Sequence, residues 1–271
     1  CEPQRTAAFE RQLAEDLASL GESQEAGRLI AEADDTIVGA LGADHPLRIG
    51  YLDARGYVAG EHADFVHAVE YERQAIALAE RVAPDSSRLP VCYLNACAYL
   101  GSLDELDDAV AYCRKAIAGY ERTDGPDSGG VAYAYSNMGD ELVKMHRYDE
   151  AISGFRHAID IQERTGGQGD PIYMQSLLGI GRAEVFAGRP RLALEPLERA
   201  LALDAQTEAA SATAQDASAE IRLLLAKALW ATGDRSRRPP ELAREAAEIY
   251  ERAGKPDRAR EARSSARPGL P

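Results

Sequence analysis

Apolar residues recur along this chain with the period of a helix, and the clearest stretch runs from Tyr135 to Glu163. In its first half Tyr135, Met138, Gly139 and Leu142 fall at i, i+3, i+4 and i+7, one face of a helix. The polar run MHRYDE then interrupts the pattern. In the second half Ala151, Phe155, Ala158, Ile159 and Ile161 form another stripe. Two helices joined by a tight turn are predicted, with Gly139, Ala151 and Ala158 small enough to let them approach closely.

The same pattern repeats. Ala26/Ala33, Ala68/Ala75, Ala109/Ala116, Ala151/Ala158 and Ala193/Ala200 are pairs 7 residues apart, and successive pairs are separated by 42, 41, 42 and 42 residues. A small residue lies 12 positions before each pair: Ala14, Gly56, Cys97, Gly139 and Gly181. Seven residues after each of these comes a position read as a turn: Gly21, Ala63, Asp104, His146 and Gly188. A fixed period of this length is the mark of a solenoid, because one helix pair cannot bury both its faces without a neighbour. The expected architecture is an all-α right-handed superhelix of about six antiparallel helix pairs. Its units fall near 5–41, 44–83, 86–124, 128–166, 170–206 and 215–253, in a single solenoid over 1–254. The sixth unit is degenerate: Ala226, Trp230 and Gly233 fit a first helix, but Arg237, Arg238, Pro239 and Pro240 delay the second, which Leu242 to Tyr250 supply. Residues 255–271 are expected to be a short cap or a frayed tail. Loops such as Gly169-Asp170-Pro171 have residues suited to ending one helix and capping the next.

The fourth unit resembles the tetratricopeptide repeat: the aromatic, the Met-Gly step, the turn, the Tyr-Asp-Glu-Ala entry and the later Phe and Ala fall where that family places them. The family's standard repeat is about 34 residues. The longer period here, with the linker LGADHP at 41–46, looks like the 42-residue kinesin-light-chain-like subclass. The closing pattern LAKALW…ELAREA…Y is similar to the C-terminal repeat arrays of bacterial, myxobacterial-type, eukaryotic-like serine/threonine kinases. That resemblance implies the regulatory or scaffolding half of a signalling protein. The expected function is a non-catalytic protein- or peptide-binding scaffold. The alternative is a module that senses a peptide or small metabolite by changing its superhelix.

Charge narrows the partners. With a net charge of −14 and a pI near 4.9, the chain as a whole repels nucleic acid and anionic membranes. No apolar run reaches the roughly 18 residues of a membrane helix, so no direct membrane insertion is expected. The compartment stays open, on either side of a membrane. The first residue is Cys1, which fits either a piece of a longer protein, with a kinase domain ahead of it, or a lipidated mature terminus. Cys92, Cys97 and Cys113 are read as buried free cysteines, with Cys97 at the small-residue position and Cys113 on the facing helix.

Chemistry is sparse. The string His146-Arg147-Tyr148-Asp149 superficially matches a kinase catalytic loop, but no DFG follows and the string sits at a repeat turn. Gly179-Ile180-Gly181 starts like a dinucleotide loop, yet Glu184 takes the last glycine position, inside a predicted helix. His62 and His67 are five apart and share no helix face. Acid pairs such as Asp34/Asp35 and Asp107/Asp108 are read as solvated surface. No catalytic residue, metal site or cofactor is expected.

A partner is therefore expected in the groove lined by first helices, where the residues flanking the small position include Arg11, Asp53, Tyr57, Asn95, Asn137, Asp140, Lys144, Gln175, Arg182 and Lys227. Asn95 and Asn137 lead, being 42 residues apart at one repeat position. The kinesin-light-chain-like resemblance implies that asparagines here contact a peptide backbone, as an amide offers both donor and acceptor. The opposing reading has each asparagine bond a neighbouring helix and stiffen the stack. The tyrosines at 93, 99, 112, 120, 133, 135 and 148 are read mainly as core, and Arg235, Arg237 and Arg238 as a solvated turn.

Overall fold

The computed structural model describes residues 2–206 and 212–265, which are helical with no strand among them. The helices are α1 (Glu2–Ser19), α2 (Ser23–Leu41), α3 (Arg48–Glu61), α4 (Phe65–Val82), α5 (Arg88–Ser102), α6 (Leu106–Thr123), α7 (Gly129–Lys144), α8 (Tyr148–Thr165), α9 (Pro171–Phe186), α10 (Pro190–Asp204), α11 (Ala212–Ala231), α12 (Arg238–Arg252) and α13 (Pro256–Ser265). Cys1 and residues 207–211 and 266–271 lie outside the description, and with them the two readings of the terminal cysteine. Among the described residues no helix is long and apolar enough to cross a membrane.

The chain divides into two compact units, Cys1–Glu141 and Leu142–Pro271. In the first, α1 packs on α2, α3 on α4 and α5 on α6, while α2–α3 and α4–α5 contacts join one pair to the next. In the second, α9 pairs with α10 and α11 with α12; α8 lies on α9, and α13 closes against α12 through buried Ala259 and Ala262.

The small-residue pattern sets how closely helices meet. All ten alanines of the five pairs are fully buried. Large side chains fill the space between them: Phe155, Leu100, Leu142, Leu177 and Leu197 have at most 2% of their surface exposed.

The turns follow one geometry. Gly21, Ala63, Asp104, His146 and Gly188 have φ of 81°, 56°, 59°, 58° and 71°, and Gly233 continues the series at 93°. Each is a left-handed residue ending a helix. The next residue's amide donates to the carbonyl five positions back, as in Asp64→Ala59 at 3.0 Å, Arg147→Leu142 at 2.8 Å and Arg189→Glu184 at 2.8 Å. These bonds satisfy carbonyls the helix end would otherwise leave open. In the first five units the following helix begins within two residues, with Asp64 capping α4 by accepting from the His67 amide, whereas after Gly233 it begins only at Arg238; at the loop between units Asp170 caps α9 by accepting from Ile172 at 2.9 Å.

Two expectations are corrected. Cys97 and Cys113 form a disulfide joining α5 to α6. The close approach that favours small residues at these positions also brings the Cα atoms to 5.3 Å, within bonding reach. Asp34 is not solvated surface: it is 1% exposed and is held by Arg48 Nε at 3.0 Å and Arg55 Nη1 at 3.1 Å. It follows the core residue Ala33, so its side chain meets the next helix, whose two arginines compensate the buried charge. Asp35, its neighbour, is exposed.

Candidate functional site

The first helices do present polar residues, but their environments differ. In the first unit Tyr57 on α3 is half-buried against the apolar cluster of α1 and α2, and burial raises its phenol pKa. Asn137 and Asp140 on α7 are half-buried. In the second unit Lys144 and Gln175 are exposed, and Arg182 on α9 reaches α11, where its Nε and Nη2 donate to the two carboxylate oxygens of Glu220 at 2.9 and 3.0 Å.

Asn95 and Asn137 share a repeat position but not a role in the stack. Asn95 sits on α5, and its amide nitrogen donates to Asp53 Oδ1 on α3 at 3.0 Å and to Glu72 Oε1 on α4 at 3.2 Å. The Asn137 side chain makes no hydrogen bond to another described residue.

Around Asn95 lies the most concentrated chemistry of the first unit. Asp53 is 6% exposed, Glu72 and Cys92 fully buried. One ligand-type atom from each lies within 4.8 Å of the others. Arg88 pairs with Asp53. Burial raises the Asp53 carboxyl against the pull of Arg88, and it raises Glu72 well above the ordinary carboxylate range, with the Asp53 charge adding to the effect. Burial also pushes the Cys92 thiol up. Glu72 Oε2 is buried with no hydrogen-bond partner.

Of this cluster the sequence pointed to Asp53 and Asn95 as groove residues and missed Glu72 and Arg88. A signal for Glu72 was present: it lies four residues after Ala68 and three before Ala75, a charged residue on a stripe that is otherwise buried.

The string His146–Asp149 forms the α7–α8 turn, where the His146 imidazole bonds Tyr148 Oη at 2.7 Å. Glu184 is buried in α9 and paired with Arg189 at 2.5 Å. His67 pairs with its helix-capping Asp64 at 2.7 Å. Arg238 pairs with Glu198 at 2.6 Å, and Arg235 lies 5.7 Å over the Trp230 ring. Tyr93 and Tyr120 are core residues at 8% exposure, whereas Tyr133 is 37% exposed.

Residues 91–153 and 134–206 match the sequence model of the tetratricopeptide repeat family. The fold is that of a tetratricopeptide-repeat (TPR) solenoid. Solved structures agree across most of the chain. TPR-like repeats assigned to a kinesin light chain of Podosopora anserina superpose with a TM-score of 0.66 at 18% identity, covering 76% of this chain and 97% of that one. The apo form of RapI gives 0.68 at 12% identity, covering 96% of both chains. A Rap protein complexed with competence and sporulation factor gives 0.65 at 15% identity, covering 96% of this chain and 73% of that one. At these identities the likeness shows the fold. No curated protein sequence matches the chain.

Proposed function

We propose that this TPR solenoid is a non-catalytic scaffold for a protein or peptide partner, the interaction array of a bacterial signalling protein resembling the repeat half of eukaryotic-like serine/threonine kinases. The partner is an extended peptide lying on first helices: in the first unit its contacts are Tyr57, Asn95, Asn137 and Asp140, and in the second unit, taken by itself, the candidate contacts are Lys144, Gln175 and Arg182.

The observation that carries this reading is Asn137. It is a half-buried amide with no side-chain hydrogen bond among the described residues, at the repeat position where Asn95 is already committed. A free amide on a rigid helix face suits a peptide backbone, because it donates and accepts without the loss of an existing bond. Asn95 keeps only its carbonyl oxygen for a partner, and Arg182 has to give up Glu220 to take one. A fold neighbour, a Rap protein, was solved in complex with competence and sporulation factor, which supports a partner-binding use of the fold.

The test is selection of peptides from a random display library on the purified chain, followed by titration of one selected peptide against variants. Asn137→Ala and Tyr57→Ala are expected to weaken binding about tenfold, roughly 1.4 kcal/mol, with the helical signal unchanged. A library that yields no binder, or a binder indifferent to both changes, refutes the site. Compaction of the solution-scattering envelope on binding would instead favour the sensing alternative.

A further inference from the structure

We propose that Asp53, Glu72 and Cys92 form a binding site for a divalent transition-metal ion of the zinc class, a clamp tying α3, α4 and α5 together. This site is separate from the peptide surface and stands or falls without it.

The geometry is close to a ligand set. The three ligand atoms lie within 4.8 Å of one another. Around a tetrahedral zinc ion, with bonds of about 2.0–2.3 Å, ligand atoms stand roughly 3.5 Å apart. Each ligand comes from a different helix, so the site exists only when the second helix pair has stacked on the third.

A second observation points at an ion. Glu72 is fully buried, and its Oε2 has no hydrogen-bond partner. An unmatched buried carboxylate oxygen is costly, and a cation would supply the missing partner. The fold makes room for this carboxylate at Gly56, where a Cβ would stand 2.7 Å from Glu72 Oε1.

The donor set selects the ion. A sulfur ligand is foreign to calcium and magnesium, which take oxygen donors, and suits zinc or cobalt. Three protein ligands leave a fourth position for water or a further donor. Ionised, the three ligands carry three negative charges, which a divalent ion and Arg88 balance. The outer shell is already in place: Asn95 holds Asp53 Oδ1 and Glu72 Oε1, and Arg88 holds Asp53. Such bonds orient metal ligands, and each carboxylate oxygen retains a lone pair for the ion.

The experiment uses the full chain, disulfide intact, with Cys1→Ser so that Cys92 is its sole thiol. Cobalt(II) is titrated in, and absorbance from thiolate-to-cobalt charge transfer is followed. The expected result is saturation at one equivalent, displacement by zinc but not by magnesium or calcium, and loss of the band in Cys92→Ser. Glu72→Gln, close in shape, is expected to weaken cobalt binding at least tenfold. In the chain retaining Cys92, zinc is expected to slow alkylation of that thiol by iodoacetamide, read by mass spectrometry, a readout that needs no ligand variant to fold. Absence of the band together with unchanged alkylation overturns the proposal. So does a band that persists in Cys92→Ser.

Discussion

Two glycines on α9 should reverse the usual effect of alanine in a helix. Replacing a helical glycine by alanine ordinarily stabilises by about 0.8–1.0 kcal/mol, because it removes backbone freedom from the unfolded chain. At Gly181, however, the added Cβ would stand 2.4 Å from both Cγ and Cδ2 of Leu197 on α10. At Gly179 it would meet three ring carbons of Phe155 on α8 at 2.4, 2.5 and 2.7 Å. Leu197 and Phe155 are fully buried, so neither can swing into solvent. Overfilling such a contact costs about 1–3 kcal/mol, which exceeds the propensity gain over most of that range. The net expectation for Gly181→Ala or Gly179→Ala is a loss of about 0–2 kcal/mol. Gly27 on α2 is the internal control, since nothing lies within 4 Å of its would-be Cβ; Gly27→Ala should stabilise by up to about 1 kcal/mol. The assay is urea unfolding followed by far-ultraviolet circular dichroism, comparing midpoints at equal slope. Repeat arrays can unfold in parts, so transitions are fitted separately if they resolve. If Gly181→Ala and Gly179→Ala raise the midpoint as Gly27→Ala does, α9 does not lie this close to α8 and α10, and the small-residue register is wrong.

Four further outcomes are expected. Peptide mapping under non-reducing conditions should recover Cys97 linked to Cys113; reduction, or Cys97→Ala with Cys113→Ala, should cost about 3 kcal/mol, the loop entropy of a closure spanning 16 residues, and recovery of both as free thiols in the native protein would exclude the bridge. Ala63→Gly should stabilise by about 0.5–1 kcal/mol, because a left-handed alanine at φ 56° carries more strain than the glycine loses in entropy; a lower midpoint would count against the turn geometry. Asp170→Ala should cost about 1 kcal/mol by removing the bond to the Ile172 amide at the start of α9, while Asp170→Asn should cost much less, and equal losses would mean that the cap is not the reason. Asp34→Ala should destabilise by roughly 3 kcal/mol, since it strands Arg48 and Arg55 beside a buried hole; a change within 0.5 kcal/mol, the range typical of surface sites, would place Asp34 outside the core.

The fold was legible because it is written in residue size. Alanine and glycine at fixed intervals specify which faces meet, and the turn seven residues after each small position is a local property of the backbone. Ala63, Asp104 and His146 show that the register, rather than glycine itself, sets the left-handed turn. The charges were much less legible. Asp34 and Asp35 are adjacent and chemically alike, yet one is buried and the other exposed. What separates them is the pair of arginines 14 and 21 residues away, a relation the period does not encode. The disulfide failed for a related reason: the sequence placed Cys97 and Cys113 on facing helices, but facing is a statement of direction, while bonding depends on a distance between Cα atoms.

Asn95 and Asn137 carry this argument to the site. Periodicity makes them equivalent, and the reading of a paired groove ladder rests on that equivalence. Their partners break it. The helix pair ahead of Asn95 supplies Asp53 and Glu72, two buried acceptors that draw the amide inward. In the next pair the repeat position of Glu72 is taken by Cys113 on α6, which is bonded to Cys97 on α5 instead. A repeat protein keeps its backbone rule from unit to unit while each interface chooses its own chemistry. Function in this chain is therefore to be sought where one unit departs from its neighbours, at the buried acid–thiol cluster beneath Asn95 and at the uncommitted amide of Asn137, rather than along the positions that all units share.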